Sequence, residues 1–255
     1  MLFPYMEAVQ SSTALCEGLQ VCRLTAMSTL YLVATPIGNL ADITYRAVET
    51  LKSVDVIACE DTRHTQQLLF HYGISARLIA THAHNEAASA KGIIALLEEG
   101  KSVALVSDAG TPAISDPGSR LVEEVREAGF TVIPIPGPSA FTALVSVAGL
   151  VGKTITFEGF LSPKSGRRTK RLALLMERDE AFVIYESPFR VAKTLAEIAT
   201  IDPTRKVVVG REMTKKFEEY PMGTAAQMSA EFAARPSIKG EFALLVGPKS
   251  DDNDS

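Results

Sequence analysis

Leu30-Tyr-Leu-Val-Ala-Thr35-Pro-Ile-Gly-Asn-Leu40 sets a short β-rich apolar run directly against a Pro/Gly turn. The stretch predicts a strand, Leu30–Ala34, that stops at a loop. The same form recurs downstream: Val103–Val106 runs into Ser107-Asp-Ala-Gly-Thr-Pro112, and Val132–Ile135 into Pro136-Gly-Pro-Ser-Ala140. Two further apolar runs, Val54–Cys59 and Leu78–Thr81, have strand character. Helical stretches are expected at Tyr45–Lys52, Thr65–Phe70, Glu86–Glu98, Ser119–Ala128 and Ser139–Val147. Strands alternating with helices are the sequence form of an α/β layered fold.

A glycine-punctuated stretch, Ala148-Gly-Leu-Val-Gly152, interrupts this rhythm and marks a domain boundary. The pattern then restarts. Strands are expected at Thr154–Phe160, Phe182–Tyr185, Val207–Gly210 and Phe242–Val246, with helices at Lys164–Glu177 and near Ala225–Ala234. Pro188 is placed as the first-turn proline of another helix. The expected organisation is a flexible N-terminal extension over 1–28, α/β domains over 29–148 and 149–248, and an acidic tail over 249–255.

The composition fits this reading. The chain has 255 residues, is 46% hydrophobic and 22% charged, and should bury a proper core. No run approaches the length of a membrane span, and Met1–Ala26 has neither a basic n-region nor a clean apolar h-region, so a secretory signal is not expected. Three cysteines, Cys16, Cys22 and Cys59, form no Cys-x-x-Cys or Cys/His ligand spacing, which predicts a reduced, cytoplasmic protein with no structural metal.

The formal net charge of −4 argues at first against nucleic acid. Its distribution reverses that inference. Residues 27–150 carry 8 basic against 13 acidic side chains, and residues 151–250 carry 17 against 12. The core is therefore neutral by this count, the excess lying in the two ends, and its halves have opposite sign.

Strand ends that pass at once into Gly/Pro turns are where open α/β sheets bind ligands, because backbone N–H groups and helix N-termini converge there. Any one of the three turns reads equally well as a tight connection. Three on one sheet edge point to a small-molecule site. Asp108 is placed to accept hydrogen bonds from a ligand, with Gly110 allowing close approach. Asp116, ahead of Pro117, reads as a helix N-cap. No strand leads into Gly-x-Gly-x-x-Gly, so a dinucleotide site is not supported. Gly149-Leu-Val-Gly-Lys153-Thr154 is only half a P-loop, with Val147 where the first glycine belongs.

Glu60-Asp-Thr-Arg-His64 and His82-Ala-His84-Asn-Glu86 follow the second and third strands, and all four histidines lie between His64 and His84. The spacing is weak for a metal; a general base or solvated caps are the alternatives. Lys164-Ser-Gly-Arg-Arg-Thr-Lys-Arg171 holds five basic residues in eight, unfavourably placed at a helix start, and a phosphate-rich partner would account for them.

Taken in order, these stretches resemble the tetrapyrrole methylase superfamily, and within it the branch acting on small-subunit ribosomal RNA. The resemblance rests on Thr35-Pro-Ile-Gly-Asn-Leu40, Glu60-Asp-Thr-Arg63, His84-Asn-Glu86, Ser107-Asp-Ala-Gly-Thr-Pro112, Ile114-Ser-Asp-Pro-Gly118, Pro136-Gly-Pro-Ser-Ala140, Phe157-Glu-Gly-Phe160, Tyr185-Glu-Ser-Pro-Phe-Arg190, Arg211-Glu-Met-Thr-Lys215 and Lys239-Gly-Glu241. It covers about Thr29 to Val246, with Met213 a departure where leucine is common.

The resemblance implies two α/β domains with S-adenosyl-L-methionine in the cleft between them, and a cytoplasmic homodimer. It also implies methylation of the ribose 2′-hydroxyl of a cytidine in the decoding region of 16S rRNA, within the small ribosomal subunit. Carried over by motif, the cofactor pocket would use Ile37, Val106, Ser107, Asp108, Thr111, Ser139, Ala140, Tyr185, Glu186 and Met213. A ribose hydroxyl is a poor nucleophile, which makes Asp61, His84 and Glu86 candidates for proton removal and Arg63 and Lys215 candidates for stabilising negative charge. Lys164, Arg167, Arg168, Lys170, Arg171 and Arg190 are the expected RNA contacts. The alternatives are a same-fold methyltransferase acting on a tetrapyrrole or a protein side chain, and a non-catalytic ribosome-assembly factor.

Overall fold

A computed structural model describes residues 28–81, 86–150 and 152–249. The expected extension, the end of the acidic tail, Cys16, Cys22, His82 and His84 lie outside these residues. The chain runs β1 (Thr29–Val33), α1 (Tyr45–Ser53), β2 (Val56–Cys59), α2 (Thr62–His71), β3 (Arg77–Ala80), α3 (Glu86–Glu98), β4 (Val103–Val106), α4 (Ser119–Glu127), β5 (Thr131–Ile135) and α5 (Ala140–Ala148). It continues with β6 (Ile155–Phe160), α6 (Ser165–Glu177), β7 (Ala181–Glu186), α7 (Val191–Ile201), β8 (Lys206–Arg211), β9 (Met222–Thr224), α8 (Ala225–Ala234) and β10 (Phe242–Val246).

The first five strands form one parallel sheet in the order β3-β2-β4-β1-β5. Both faces are covered. Ala47 and Leu51 of α1 and Leu69 of α2 pack on one side, and Ile93 and Leu97 of α3 with Leu121 and Val125 of α4 on the other. This double cover explains why β2 and β4 are buried along their whole length and read as continuous apolar runs rather than alternating ones. Because the strands are parallel, the loops after β1, β2, β4 and β5 all emerge at one edge.

The second sheet has the order β6-β7-β10-β8-β9 and is mixed: β6 and β7 are parallel, and the pairs β7–β10, β10–β8 and β8–β9 are antiparallel. Leu172 and Leu175 of α6, Leu195 and Ile198 of α7, and Met228 and Phe232 of α8 cover one face. The other face receives α5, whose Leu144 and Ala148 pack on Val183, Val208, Ala243 and Leu245. Helix α5 follows the first sheet in sequence yet buries its apolar side on the second, so the two halves share a core.

Three local expectations are corrected. Asp116 does not cap a helix: Gly118 is the N-cap of α4, with no side-chain cap bond. Pro188 is not in the first turn of α7, which Arg190 precedes; the proline lies in the turn between β7 and that helix. Helix α2 starts three residues before the expected Thr65, because the Asp61 carboxylate accepts the Arg63 N–H and caps it. The short edge strand β9 was not expected from sequence.

Candidate active site

The three turns of the first sheet knit together before they meet anything else. Thr35 and Gly110 exchange backbone hydrogen bonds of 2.9 and 3.0 Å, and the Thr35 hydroxyl donates to the Ser107 carbonyl at 3.1 Å. Ser107 Oγ donates in turn to the Gly110 carbonyl, and the Thr111 hydroxyl to the Pro138 carbonyl. The strand ends of β1, β4 and β5 thus form one continuous floor.

The second half supplies the opposite wall, and contacts fix the gap. Tyr185, at the end of β7, accepts the Phe141 N–H of α5 on its Oη at 3.0 Å and sits against Phe157 and Phe160. The Asn39 N–H donates to Thr214 Oγ1 at 3.1 Å, and a Cβ at Gly38 would overlap the Lys215 side chain. On the far side the Gly159 backbone, at φ +67°, lies against Ser115 so closely that a Cβ would overlap its Oγ. Glycine at 38 and 159 lets the halves approach at both ends of the cleft.

Between them is a cleft of about 460 Å³. Ile37, Asp108, Thr111, Ser139, Ala140, Tyr185, Glu186 and Met213 line it, so eight of the ten residues the resemblance assigns to cofactor face one space. Val106 and Ser107 lie beneath it, lining a smaller hollow, and Ser107 shapes the floor by its hydrogen bonds. Five acidic residues line the cleft: Glu60, Asp108, Asp116, Glu186 and Glu241. Loops on both walls hold strained backbone, with Ala113 and Ser115 at φ 65° and 61° around Ile114, and Glu212 and Thr214 at φ 49° and 66° around Met213. Such conformations persist only where the surroundings over-determine them, and they concentrate at functional sites.

Of the expected catalytic residues, Asp61, Arg63, Glu86 and Lys215 do not line this space, and His84 lies outside the described residues. Asp61 caps α2 and forms an ion pair with Arg63 at 3.1 Å, and that hydrogen-bonded guanidinium holds its carboxyl below the usual range. A carboxylate so stabilised is a poor base. Arg63 is exposed, with no contact to the cleft. Glu86 lines the smaller hollow, where it accepts the Gly118 N–H at 3.3 Å. Lys215 is beside the cleft rather than in it, with Glu212 and Glu241 at 3.0 and 2.9 Å. Its burial favours the neutral amine, but those two carboxylates hold its pKa above the ordinary lysine value.

Asp116, read from the sequence as a helix cap, lines the cleft instead. Half-buried burial of its carboxyl pushes its pKa up to about 6, the charges on Glu60 and Asp108 push the same way, and a hydrogen bond from Ser107 opposes them. Tyr185 is also held above its ordinary value, mainly by burial.

The basic segment divides. Arg168 is buried and makes a bidentate pair with Glu197 at 2.6 and 3.0 Å; Arg171 pairs in the same way with Glu158 at 2.6 and 2.7 Å. Arg190 is bound to the fully buried Glu186, which also accepts the Thr194 hydroxyl and the Ser187 N–H. Expected as RNA contacts, Arg168 and Arg190 instead hold the second half together, and Arg171 is tied to β6. Lys164, the residue before α6, and Arg167 and Lys170 on it are exposed and pair with no carboxylate among the described residues.

Comparison with known proteins bears on this site. The family model described as tetrapyrrole (corrin/porphyrin) methylases matches residues 29–229. A curated relative from Mesorhizobium japonicum, ribosomal RNA small subunit methyltransferase I, is 49% identical over 86% of this chain and 75% of its own length. The protein of that name from Borrelia garinii is 47% identical over 87% of this chain and 99% of its own. Among solved structures, a cobalt precorrin-4 methyltransferase of cobalamin biosynthesis superposes with a TM-score of 0.67 at 17% identity, covering 89% of this chain and 98% of that one. Uroporphyrin-III C-methyltransferase from Thermus thermophilus gives 0.61 at 18% identity, covering 86% and 94%. These two likenesses show the fold alone.

Proposed function

The chain belongs to the tetrapyrrole (corrin/porphyrin) methylase family and is a methyltransferase, and from that premise we propose that it uses S-adenosyl-L-methionine to methylate the ribose 2′-hydroxyl of a cytidine in the decoding region of 16S rRNA. The observation that carries the donor half of this reading is the cleft shared by the two sheets. Its volume suits a ligand of that size, and Glu60, Asp108 and Glu241 in its lining suit a donor that bears a sulfonium and an ammonium group. Asp108, Thr111 and Ser139 on the floor and Tyr185 and Met213 on the wall would hold it. Bound there, it supplies a methyl group already activated for transfer.

What remains for the protein is to align an oxygen in line with that methyl, exclude water and accept a proton. The shared core and the contacts at both ends of the cleft hold the walls in register, and Phe160 and Ile114 give the mouth an apolar lip. The acceptor half rests on the ribosomal RNA methyltransferases that align with most of the chain, and on Lys164, Arg167 and Lys170 as free cations for phosphates. Cytoplasmic residence and a homodimer, which the resemblance implies, belong to the same proposal, and sedimentation equilibrium tests the second.

The reading is tested by offering the protein methyl-labelled donor with 30S subunits, with naked 16S rRNA and with a reduced tetrapyrrole. Label in 16S rRNA is the expected result. Label in a ribosomal protein or the tetrapyrrole, or donor binding without transfer, would overturn it.

A further inference from the structure

Of the five acidic residues that line the cleft, three are engaged elsewhere and one stands at the rim. Glu186 is fully buried and holds Arg190 and Thr194. Glu241 is paired with Lys215. Asp108 accepts the Asp61 N–H at 3.2 Å, joining the ends of β2 and β4. Glu60 stands exposed at the rim. Asp108 and Asp116 are both half-buried in the lining with no ion pair among the described residues; Asp108 is committed to the Asp61 N–H, whereas Asp116 follows two residues of left-handed backbone, Ala113 and Ser115, in the loop that lines the cleft.

We propose that Asp116 is the general base of the methyl transfer, taking the proton of the acceptor hydroxyl; this rests on the methylation reading above. The step balances within the site. As the hydroxyl oxygen forms its bond to the methyl carbon, the carbon–sulfur bond breaks with its electron pair left on sulfur. The hydroxyl proton passes to a carboxylate oxygen of Asp116 and from there to solvent after product leaves.

The surroundings make this carboxylate suitable. The groups that face it are Glu60 after β2, Asp108 and Ser107 after β4, and Tyr185 at the end of β7, with no cation among those that set its charge. Burial and the two neighbouring carboxylates raise its pKa to about 6. At neutral pH it is mostly ionised and yet more basic than an ordinary aspartate, which is the compromise general-base catalysis favours. Asp61, by contrast, is held below the usual range by Arg63.

The test uses the full chain with 30S subunits. Wild-type single-turnover methylation should fall about tenfold for each pH unit below pH 6 and level off above it. Asp116→Asn should slow the reaction roughly 10²- to 10⁴-fold and abolish that acid limb, while S-adenosylmethionine binding by calorimetry changes less than about threefold. Asp116→Glu should recover part of the rate. In protein labelled with ¹³C at aspartate carboxyls, one resonance should titrate near pH 6 and be missing from Asp116→Asn. Asp116→Asn with wild-type rate and acid limb, or a loss appearing only as weaker donor binding, would overturn the proposal. A wild-type protein that labels no ribose removes the methylation reading and the base with it; an active wild type with an equally active Asp116→Asn removes the base alone.

Discussion

Asp116 shows how far a local pattern misleads at a single residue. Asp-Pro ahead of a helix is a sound capping signal, yet Gly118 occupies the cap and the carboxylate turns to the cleft. Burial does most to raise its pKa, and the charges on Glu60 and Asp108 add to it; Glu60 reaches it only because β2 and β4 are adjacent in the sheet. Asp108 is in the same loop, but neither the burial nor the approach of Glu60 is signalled near Asp116 in sequence. A stability effect follows. A carboxyl whose folded pKa lies above its unfolded value favours the protonated native state, so its contribution is present below about pH 4 and lost as pH rises through 6. Asp116→Asn should therefore stabilise the unliganded protein by about 1–3 kcal/mol at pH 8 and by almost nothing at pH 4, as urea unfolding at the two pH values would measure. Glu186 should behave oppositely. Removing it leaves Arg190 and Thr194 without their partner, and Glu186→Ala should cost about 3–5 kcal/mol in the same assay.

At the scale of elements, most strands and helices were legible, because buried parallel strands read as apolar runs and the turns between them are rich in Gly and Pro. The edge strand β9 was not, being three residues long with no apolar run of its own. Helix α6 was legible in place but misread in role. Five basic residues at its start suggest a surface for phosphates, yet Arg168, Leu172, Leu175 and Met176 share the buried stripe that packs on α7 and the sheet. That spacing of four and then three was present in the sequence and marks Arg168 as inward-facing. The two roles separate by experiment. Arg168→Ala should destabilise the fold by about 3–5 kcal/mol and leave the salt dependence of RNA binding unchanged, because it strands Glu197. Replacing Lys164, Arg167 and Lys170 together by alanine should leave stability within about 0.5 kcal/mol per site. It should also lower the slope of log affinity against log salt by about 2–3, as filter binding across a salt series would show.

Over the whole molecule, the opposite charges of the two halves become the two surfaces of one device, an acidic cleft and a basic face on α6. The strands before Gly149 pair in one sheet and those after it in the other, while α5, which precedes Gly149, packs on the second sheet. The cleft therefore depends on how closely the halves meet. Gly159→Val should force the 113–116 loop off β6, adding about 1–2 kcal/mol of backbone strain and weakening donor binding at least tenfold, as calorimetry would detect. In the proposed reaction the methyl reaches a ribose oxygen. A 2′-O-methyl group blocks alkaline cleavage of the adjoining phosphodiester, whereas a methyl on a base or a protein does not. Alkaline hydrolysis of 16S rRNA labelled by this protein should leave the label in an alkali-resistant dinucleotide with cytidine on its 5′ side. Label released as a mononucleotide, or left with protein, would contradict the account.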